Sequence, residues 1–210
     1  MIKGTIISLN RGWSKNIADE GEKQIMSAIH KHPVSEAALY LSKTNLEGDE
    51  QADLINHGGV DKAVCVYPLE HYSYWEKKFG FAFSIGAFGE NITLSGVPES
   101  KAFIGDMWKW GEAIVQVSQP RRPCFKVAKR HGIRQLPLYI QETGFSGYYL
   151  RVLKEGNVSA KDPLILLNRI TDVSIEYVNR ITFYDKENRD EIEKLQNLKE
   201  LSEAWKASLK

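Results

Sequence analysis

The chain has 210 residues, a formal net charge of +1 and 42% hydrophobic residues. This profile predicts a globular protein with one sizeable domain and room for a small appendage. A charge this close to neutral argues against a nucleic-acid-binding protein, and no apolar run approaches membrane-spanning length. The opening residues predict a strand rather than a signal peptide. We therefore expect a cytoplasmic protein with no nucleic-acid or membrane partner, whose two cysteines stay reduced.

The first 170 residues predict many short strands, because β-branched and aromatic runs recur there between Gly, Pro and Asn. The clearest runs are residues 5–7, 63–67, 91–94, 107–110, 113–117 and 164–167. Gly111 lies between two of them and predicts a tight hairpin. Two helices are predicted among the strands, at about residues 69–79 and 123–132. The predicted fold is mainly β with some α, a barrel-like domain over residues 1–170.

After residue 170 the pattern becomes helical. Thr171 or Asp172 is predicted to cap a helix whose apolar side carries Val173, Tyr177, Val178 and Ile181. Residues 188–197 and 198–209 continue the helical spacing. Residues 171–210 thus predict a small domain of three short helices. It contains no catalytic constellation, so we expect it to pack or to contact a partner.

The strongest candidate for chemistry is Cys124, in the run Gln119-Pro120-Arg121-Arg122-Pro123-Cys124. Pro123 suits the first turn of a helix, which would put Cys124 at the second helical position, beside free backbone N–H groups. That setting and the two arginines favour a thiolate, which binds metals or attacks electrophiles. The pattern leaves both roles open. Cys65 lies in an apolar strand run and is predicted to be an inert core residue.

The surroundings of Cys124 in the sequence are basic. Residues 113–141 contain six lysines and arginines and no acidic residue, which favours a small anionic ligand over a solvated helix face. A second cluster, residues 48–62, contains His57, Gly58-Gly59 and Lys62. It suggests a close backbone approach to a ligand, a proton donor and an anion contact. A third cluster, residues 86–93, contains Glu90-Asn91 and is a weak signal by itself. Structural zinc is disfavoured because the cysteines and histidines lack paired spacings.

Taken together, these clusters resemble the MOSC family, named for the C-terminal domain of molybdenum-cofactor sulfurase. The closest likeness is to its YiiM-like branch, which is linked to resistance against 6-N-hydroxylaminopurine and adds a three-helix domain at the C-terminus. The motifs that carry the resemblance occur in order: Gly48-Asp49-x-Gln51-x-Asp53, His57-Gly58-Gly59-x-Asp61-Lys62, Tyr67-Pro68-x-Glu70-His71-Tyr72, Gly86-x-Phe88-Gly89-Glu90-Asn91 and Gln119-Pro120-Arg121-x-Pro123-Cys124.

The resemblance implies a barrel-like fold that binds the molybdenum cofactor (molybdopterin), an anionic pterin with a phosphate and a dithiolene. Cys124 matches the family cysteine that ligates molybdenum or carries sulfur, and His57 is the expected proton donor. Some relatives reduce N-hydroxylated bases and amidoximes to amines, with electrons from an electron-transfer protein or flavoprotein reductase. The expected cofactor-binding residues are Arg121, Arg122, Lys62, Lys31, Gly58, Gly59, Glu90 and Asn91.

Two functions from different classes follow from the sequence. The first is a molybdenum-dependent reductase that detoxifies N-hydroxylated bases and related compounds. The second is a molybdenum-cofactor carrier or sulfur-transfer module, in which Cys124 carries a persulfide and no N–O bond is reduced. A Cys–His hydrolase using Cys124 and His57 is disfavoured, because no third group that would orient the histidine is apparent.

Overall fold

The computed structural model describes residues 2–52 and 58–209. In this part of the chain the strands are β1 Lys3–Arg11, β2 Lys15–Asn16, β3 Met26–Ser27, β4 His32–Pro33, β5 Leu39–Leu41, β6 Val64–Pro68, β7 Ile92–Ser95, β8 Met107–Trp110, β9 Ala113–Pro120, β10 Tyr148–Lys154, β11 Gly156–Val158 and β12 Leu164–Asn168. The α-helices are α1 Tyr72–Phe79, α2 Phe125–His131, α3 Leu136–Thr143, α4 Ile175–Phe183, α5 Arg189–Gln196 and α6 Glu203–Lys206.

Seven strands close into a β-barrel in the order β12-β8-β9-β10-β6-β7-β1, and β1 pairs back onto β12. Only the β6–β7 pair of this barrel is parallel, among the strands that the structure describes. Closure leaves no long exposed sheet edge. The predicted class, a barrel-like β domain followed by helices, is confirmed.

The β8–β9 hairpin is confirmed and turns at Gly111. Its φ of 55° is in the left-handed region. A Cβ atom at this position would lie 2.6 Å from the carbonyl oxygen of Asn157. The turn therefore requires glycine both for its backbone conformation and for the close approach of the neighbouring chain.

Two hydrophobic clusters form the core. The first fills the barrel and continues without a break into the C-terminal helices, where Val178, Leu195 and Trp205 are buried. The second lies outside the barrel and joins α1, α2 and α3. Trp75 on the inner face of α1 is fully buried there and donates a hydrogen bond to the Tyr67 hydroxyl at 2.7 Å. The inner face of this helix is thus a packing face.

Several helix predictions were wrong in detail. The sequence pattern missed α3, an eight-residue helix that has a proline in its first turn. The cap of α4 is Ser174, whose hydroxyl accepts the Tyr177 N–H, while the Thr171 hydroxyl donates instead to the Ile104 carbonyl. The last helix covers only Glu203–Lys206, because a turn occupies the residues before its cap, Ser202. No helix in the described residues is long and apolar enough to cross a membrane.

Candidate functional site

A pocket with a cavity volume of about 90 Å³, open to solvent, lies beside the barrel at the start of α2. Strand ends and loops that are distant in sequence converge there. The pocket wall includes six of the predicted site residues: Lys31, Lys62, Asn91, Arg121, Arg122 and Cys124. Predicted residue His57 lies outside the described residues.

Cys124 is half-buried at the pocket wall and is the N-cap of α2. This corrects the prediction that it occupies the second helical position. Its backbone is extended (φ −129°, ψ 167°), and its carbonyl accepts the Val127 N–H as the helix begins. Within the described residues its side chain makes no capping hydrogen bond, so the sulfur is available to the pocket.

Arg121 provides a buried positive charge in the pocket, with 6% of its surface exposed. Burial acts to lower its pKa, but the nearby ionisable side chains of Cys65, Tyr149 and Cys124 act in the opposite direction, and the pKa is raised overall. The guanidinium therefore stays charged. Its Nη1 atom has no hydrogen-bond partner among the residues that the structure describes. A buried, unpaired guanidinium nitrogen is costly, and an anionic ligand would satisfy it.

Asp49 is a pocket residue that the sequence predictions missed. Its carboxylate holds the Lys31 ammonium at 2.5 and 2.6 Å and accepts the Gly12 N–H at 2.8 Å. It also accepts the Asn91 amide at 2.8 Å. Lys31 and Asp49 are both buried. The charge of Lys31 is thus matched inside the protein. The sequence did contain a signal for Asp49, because this residue is part of the Gly48-Asp49 motif. Its role was not predictable from that motif, because it depends on contacts with Gly12, Lys31 and Asn91, which lie in other segments of the chain.

Asn91 lines the pocket, but its side-chain amide makes hydrogen bonds to other residues of the protein. Its Oδ1 atom accepts the Cys65 N–H at 3.0 Å, and its Nδ2 atom donates to Asp49 and to the Asn10 carbonyl. Asn91 therefore joins the pocket wall to β6. Asn91 was predicted to orient a ligand by hydrogen bonding. In this arrangement its amide has little hydrogen-bonding capacity left for a ligand.

Glu90 does not line the pocket, contrary to its prediction as a cofactor-binding residue. It is fully buried, and its carboxylate accepts hydrogen bonds from the Tyr72 hydroxyl at 2.5 Å and the Thr93 hydroxyl at 2.9 Å. The backbone N–H groups of Gly86 and Phe88 donate to it as well. Glu90 therefore stabilises the loop at residues 86–91 through hydrogen bonds made inside the protein.

Gly58 and Gly59 are also absent from the wall of this pocket, as far as the described residues define it. Gly59 has a φ of 92° and leads into a 3-10 turn at Val60–Lys62. Its N–H donates to the Gln51 side chain at 3.2 Å. Gly59 thus turns the chain just before Lys62, which lines the pocket.

Arg122 only borders the pocket, because its guanidinium is directed to the C-terminal helices. Its Nη2 atom donates to the Ser208 hydroxyl at 2.7 Å, and its Cζ atom lies 4.8 Å from the ring centroid of Trp205. These contacts engage the guanidinium within the protein, and the cofactor contact of Arg122 stays a prediction.

Cys65 is the second thiol at the pocket. It lies on β6 opposite Tyr149 of β10 and is 5% exposed. Burial raises its pKa to about 11. Its thiol is therefore protonated at neutral pH, which agrees with the inert role expected of it.

Comparison with known proteins identifies the family. The MOSC domain matches residues 53–165, and the YiiM-like, 3-alpha helix domain matches residues 173–210. The chain belongs to the MOSC family. Within it, the chain is 46% identical to uncharacterized protein YflK of Bacillus subtilis over 97% of its own length and 92% of that protein. It is 41% identical to protein YiiM of Escherichia coli, covering 85% of this chain and 81% of that one.

Two further matches bear on fold and chemistry. The crystal structure of YiiM from Geobacillus stearothermophilus superposes with a TM-score of 0.84 at 38% identity, covering 98% of this chain and 97% of that one. A Gibberella moniliformis protein named reductase is 34% identical over 79% of this chain, which spans 30% of that longer protein.

MOSC domains are generally linked to the molybdenum cofactor, and the pocket chemistry fits such a group. The unpaired Arg121 nitrogen suits an anion, and Cys124 offers one accessible sulfur. The described residues contain no cluster of three or more His, Cys, Asp or Glu side chains that could hold a metal ion. A metal bound here would therefore depend on ligands that arrive with the cofactor, as a dithiolene provides.

Proposed function

We propose that this MOSC protein binds the molybdenum cofactor in the Cys124 pocket and reduces N-hydroxylated bases and related N-hydroxylated compounds. The observation that carries the proposal is the pairing of an accessible thiol with a buried, unpaired guanidinium nitrogen in one pocket. An anionic cofactor with a thiophilic metal satisfies both groups at once. The 34% identity to a protein named reductase supports the redox assignment.

The residues that line the pocket have different roles in this proposal. Arg121 binds the anionic part of the cofactor, and Lys62 lines the same pocket. Cys124 supplies its sulfur from the pocket wall. The cofactor, when bound, supplies a two-electron redox centre. Asp49 and Asn91 stabilise the part of the pocket wall that they form, through their mutual hydrogen bond.

The net reaction converts R–NH–OH, two electrons and two protons into R–NH₂ and water. The N–O bond breaks, the nitrogen is reduced, and the oxygen leaves as water. The electrons come from a separate electron-transfer protein or flavoprotein reductase. His57, outside the described residues, remains the predicted proton donor.

The test begins with protein purified from a host that makes the cofactor. Bound molybdenum is measured by elemental analysis, and turnover is measured with an N-hydroxylated purine and a chemical reductant. We expect molybdenum in the wild-type protein and turnover that Cys124→Ser abolishes. Cys65→Ala is the matched control, because it removes a thiol from the same pocket whose raised pKa keeps it protonated. Equal turnover in Cys124→Ser and wild type, with molybdenum bound in both, would sink the proposal.

The carrier or sulfur-transfer hypothesis makes a different prediction. A carrier would contain the cofactor but turn over no N–O substrate. A sulfur-transfer module would gain one sulfur atom on Cys124 after incubation with a cysteine desulfurase and cysteine. Peptide mass spectrometry of the wild type and Cys124→Ser detects that mass directly.

A further inference from the structure

The segment that leads to the reactive thiol, residues 118–124, is held by the C-terminal helices. Ser202, the cap of α6, donates its N–H to the Ser118 carbonyl at 3.0 Å and its hydroxyl to the Gln119 side chain at 2.7 Å. Ser202 is 1% exposed. One residue of the helical region thus binds β9 shortly before the chain reaches the pocket.

Arg122 makes the second attachment, nearer to Cys124. Its guanidinium stacks over Trp205 of α6 and donates to Ser208 just beyond that helix. The Ser208 hydroxyl in turn donates to the Trp205 carbonyl at 2.6 Å. A planar guanidinium that is both stacked and hydrogen-bonded has little freedom to move.

The position of Arg122 in the sequence gives this attachment a direct effect on the thiol. Only Pro123 separates it from Cys124, and the proline ring fixes its own φ angle. Cys124 then turns the chain into α2 with no side-chain cap bond among the described residues. With no cap bond to hold it, the sulfur depends for its position on the backbone on either side of Cys124.

We propose that Arg122 is a positioning residue through which the C-terminal helices fix the Cys124 sulfur at the pocket. This proposal gives the helical region a role in the site. In it, Arg122 positions Cys124 and does not contact the cofactor. The inference rests on the proposed function only in taking Cys124 as the reactive group. Its test needs neither cofactor nor turnover.

The test compares Arg122→Ala and Ser208→Ala with Arg180→Ala. Arg180 stacks on Tyr177 in the same helical region, at 5.0 Å, and serves as the matched control. Hydrogen exchange is followed by mass spectrometry, and Cys124 and Cys65 are alkylated with iodoacetamide. We expect residues 119–126 to exchange roughly fivefold faster in Arg122→Ala and less so in Ser208→Ala, as for the loss of a local hydrogen bond. Alkylation of Cys124 should change at least roughly twofold, with that of Cys65 unchanged.

Two results would overturn the proposal. One is exchange over residues 119–126 that is no faster in Arg122→Ala than in Arg180→Ala. The other is faster exchange throughout the barrel together with faster alkylation of Cys65, because this would make Arg122 a general stability residue. Molybdenum is measured on the same samples. Its absence from all of them would count against the proposed function alone.

Discussion

Replacing Asp49 by alanine should destabilise the protein strongly, although Asp49 borders an open pocket. The substitution removes the carboxylate that holds the buried Lys31 ammonium at 2.5 and 2.6 Å. It also removes the acceptor of the Gly12 N–H and one of the two acceptors of the Asn91 amide. Lys31 is 7% exposed, so its charge would lose the counterion that it now has inside the protein.

The size of the effect follows from the burial of the pair. Breaking a buried ion pair by removing one partner costs about 3–5 kcal/mol. Water from the open pocket can solvate part of the space left by the carboxylate, so we expect the lower end, about 3 kcal/mol. For a chain of this length that corresponds to a fall in Tm of about 6–12 °C.

The assay is equilibrium unfolding in urea, followed by tryptophan fluorescence. Four buried tryptophans report on the two clusters: Trp75, Trp108, Trp110 and Trp205. The control is Glu203→Ala, which removes the carboxylate of the ion pair with Lys206, and that carboxylate is exposed. A surface ion pair of this kind contributes less than about 1 kcal/mol.

A second comparison separates loss of the pair from loss of volume. The variant Asp49→Ala with Lys31→Met removes both charges and should be more stable than Asp49→Ala alone, since no unpaired ammonium remains. The reasoning would be refuted if Asp49→Ala cost no more than Glu203→Ala. It would also be refuted if the double variant were no more stable than Asp49→Ala.

Three other predictions concern the pocket and its surroundings. Arg121→Gln should weaken binding of purified cofactor roughly tenfold or more, since a buried charged hydrogen bond is lost; equilibrium titration checks this, and an equal loss in Lys78→Gln, on α1, would contradict it. Between pH 7 and 9, iodoacetamide should modify Cys124 and spare Cys65, whose pKa burial raises to about 11; peptide mapping that finds the reverse order would contradict it. Burial and neighbouring cations lower the pKa of His30 to about 4 from 6.5, so the folded protein binds fewer protons there than the unfolded chain. Stability should fall as pH drops from about 6.5 to about 4, and less so in His30→Gln; an NMR titration midpoint near 6.5 would refute it.

Much of the fold could be predicted from short-range patterns. Runs of β-branched and aromatic residues predicted six of the seven barrel strands, all but β10, and Gly111 predicted the hairpin, because both features act within a few residues. Helix boundaries were less certain. Ser174 and Thr171 are both good caps, and the Ile104 carbonyl, distant in sequence, engages the Thr171 hydroxyl.

The sequence by itself determined which chemistry the site could support. Cys124, its arginines and the basic stretch around them are local facts, and they predicted an anion-binding thiol site. The tertiary structure decided which of these residues serve the pocket. It buries Arg121 with an unpaired nitrogen and directs Arg122 to the C-terminal helices. Arg121 and Arg122 are the same residue type at adjacent positions, so the sequence does not distinguish their roles. Contacts with residues that are distant in sequence decide which side chain faces the pocket and which packs against the helices.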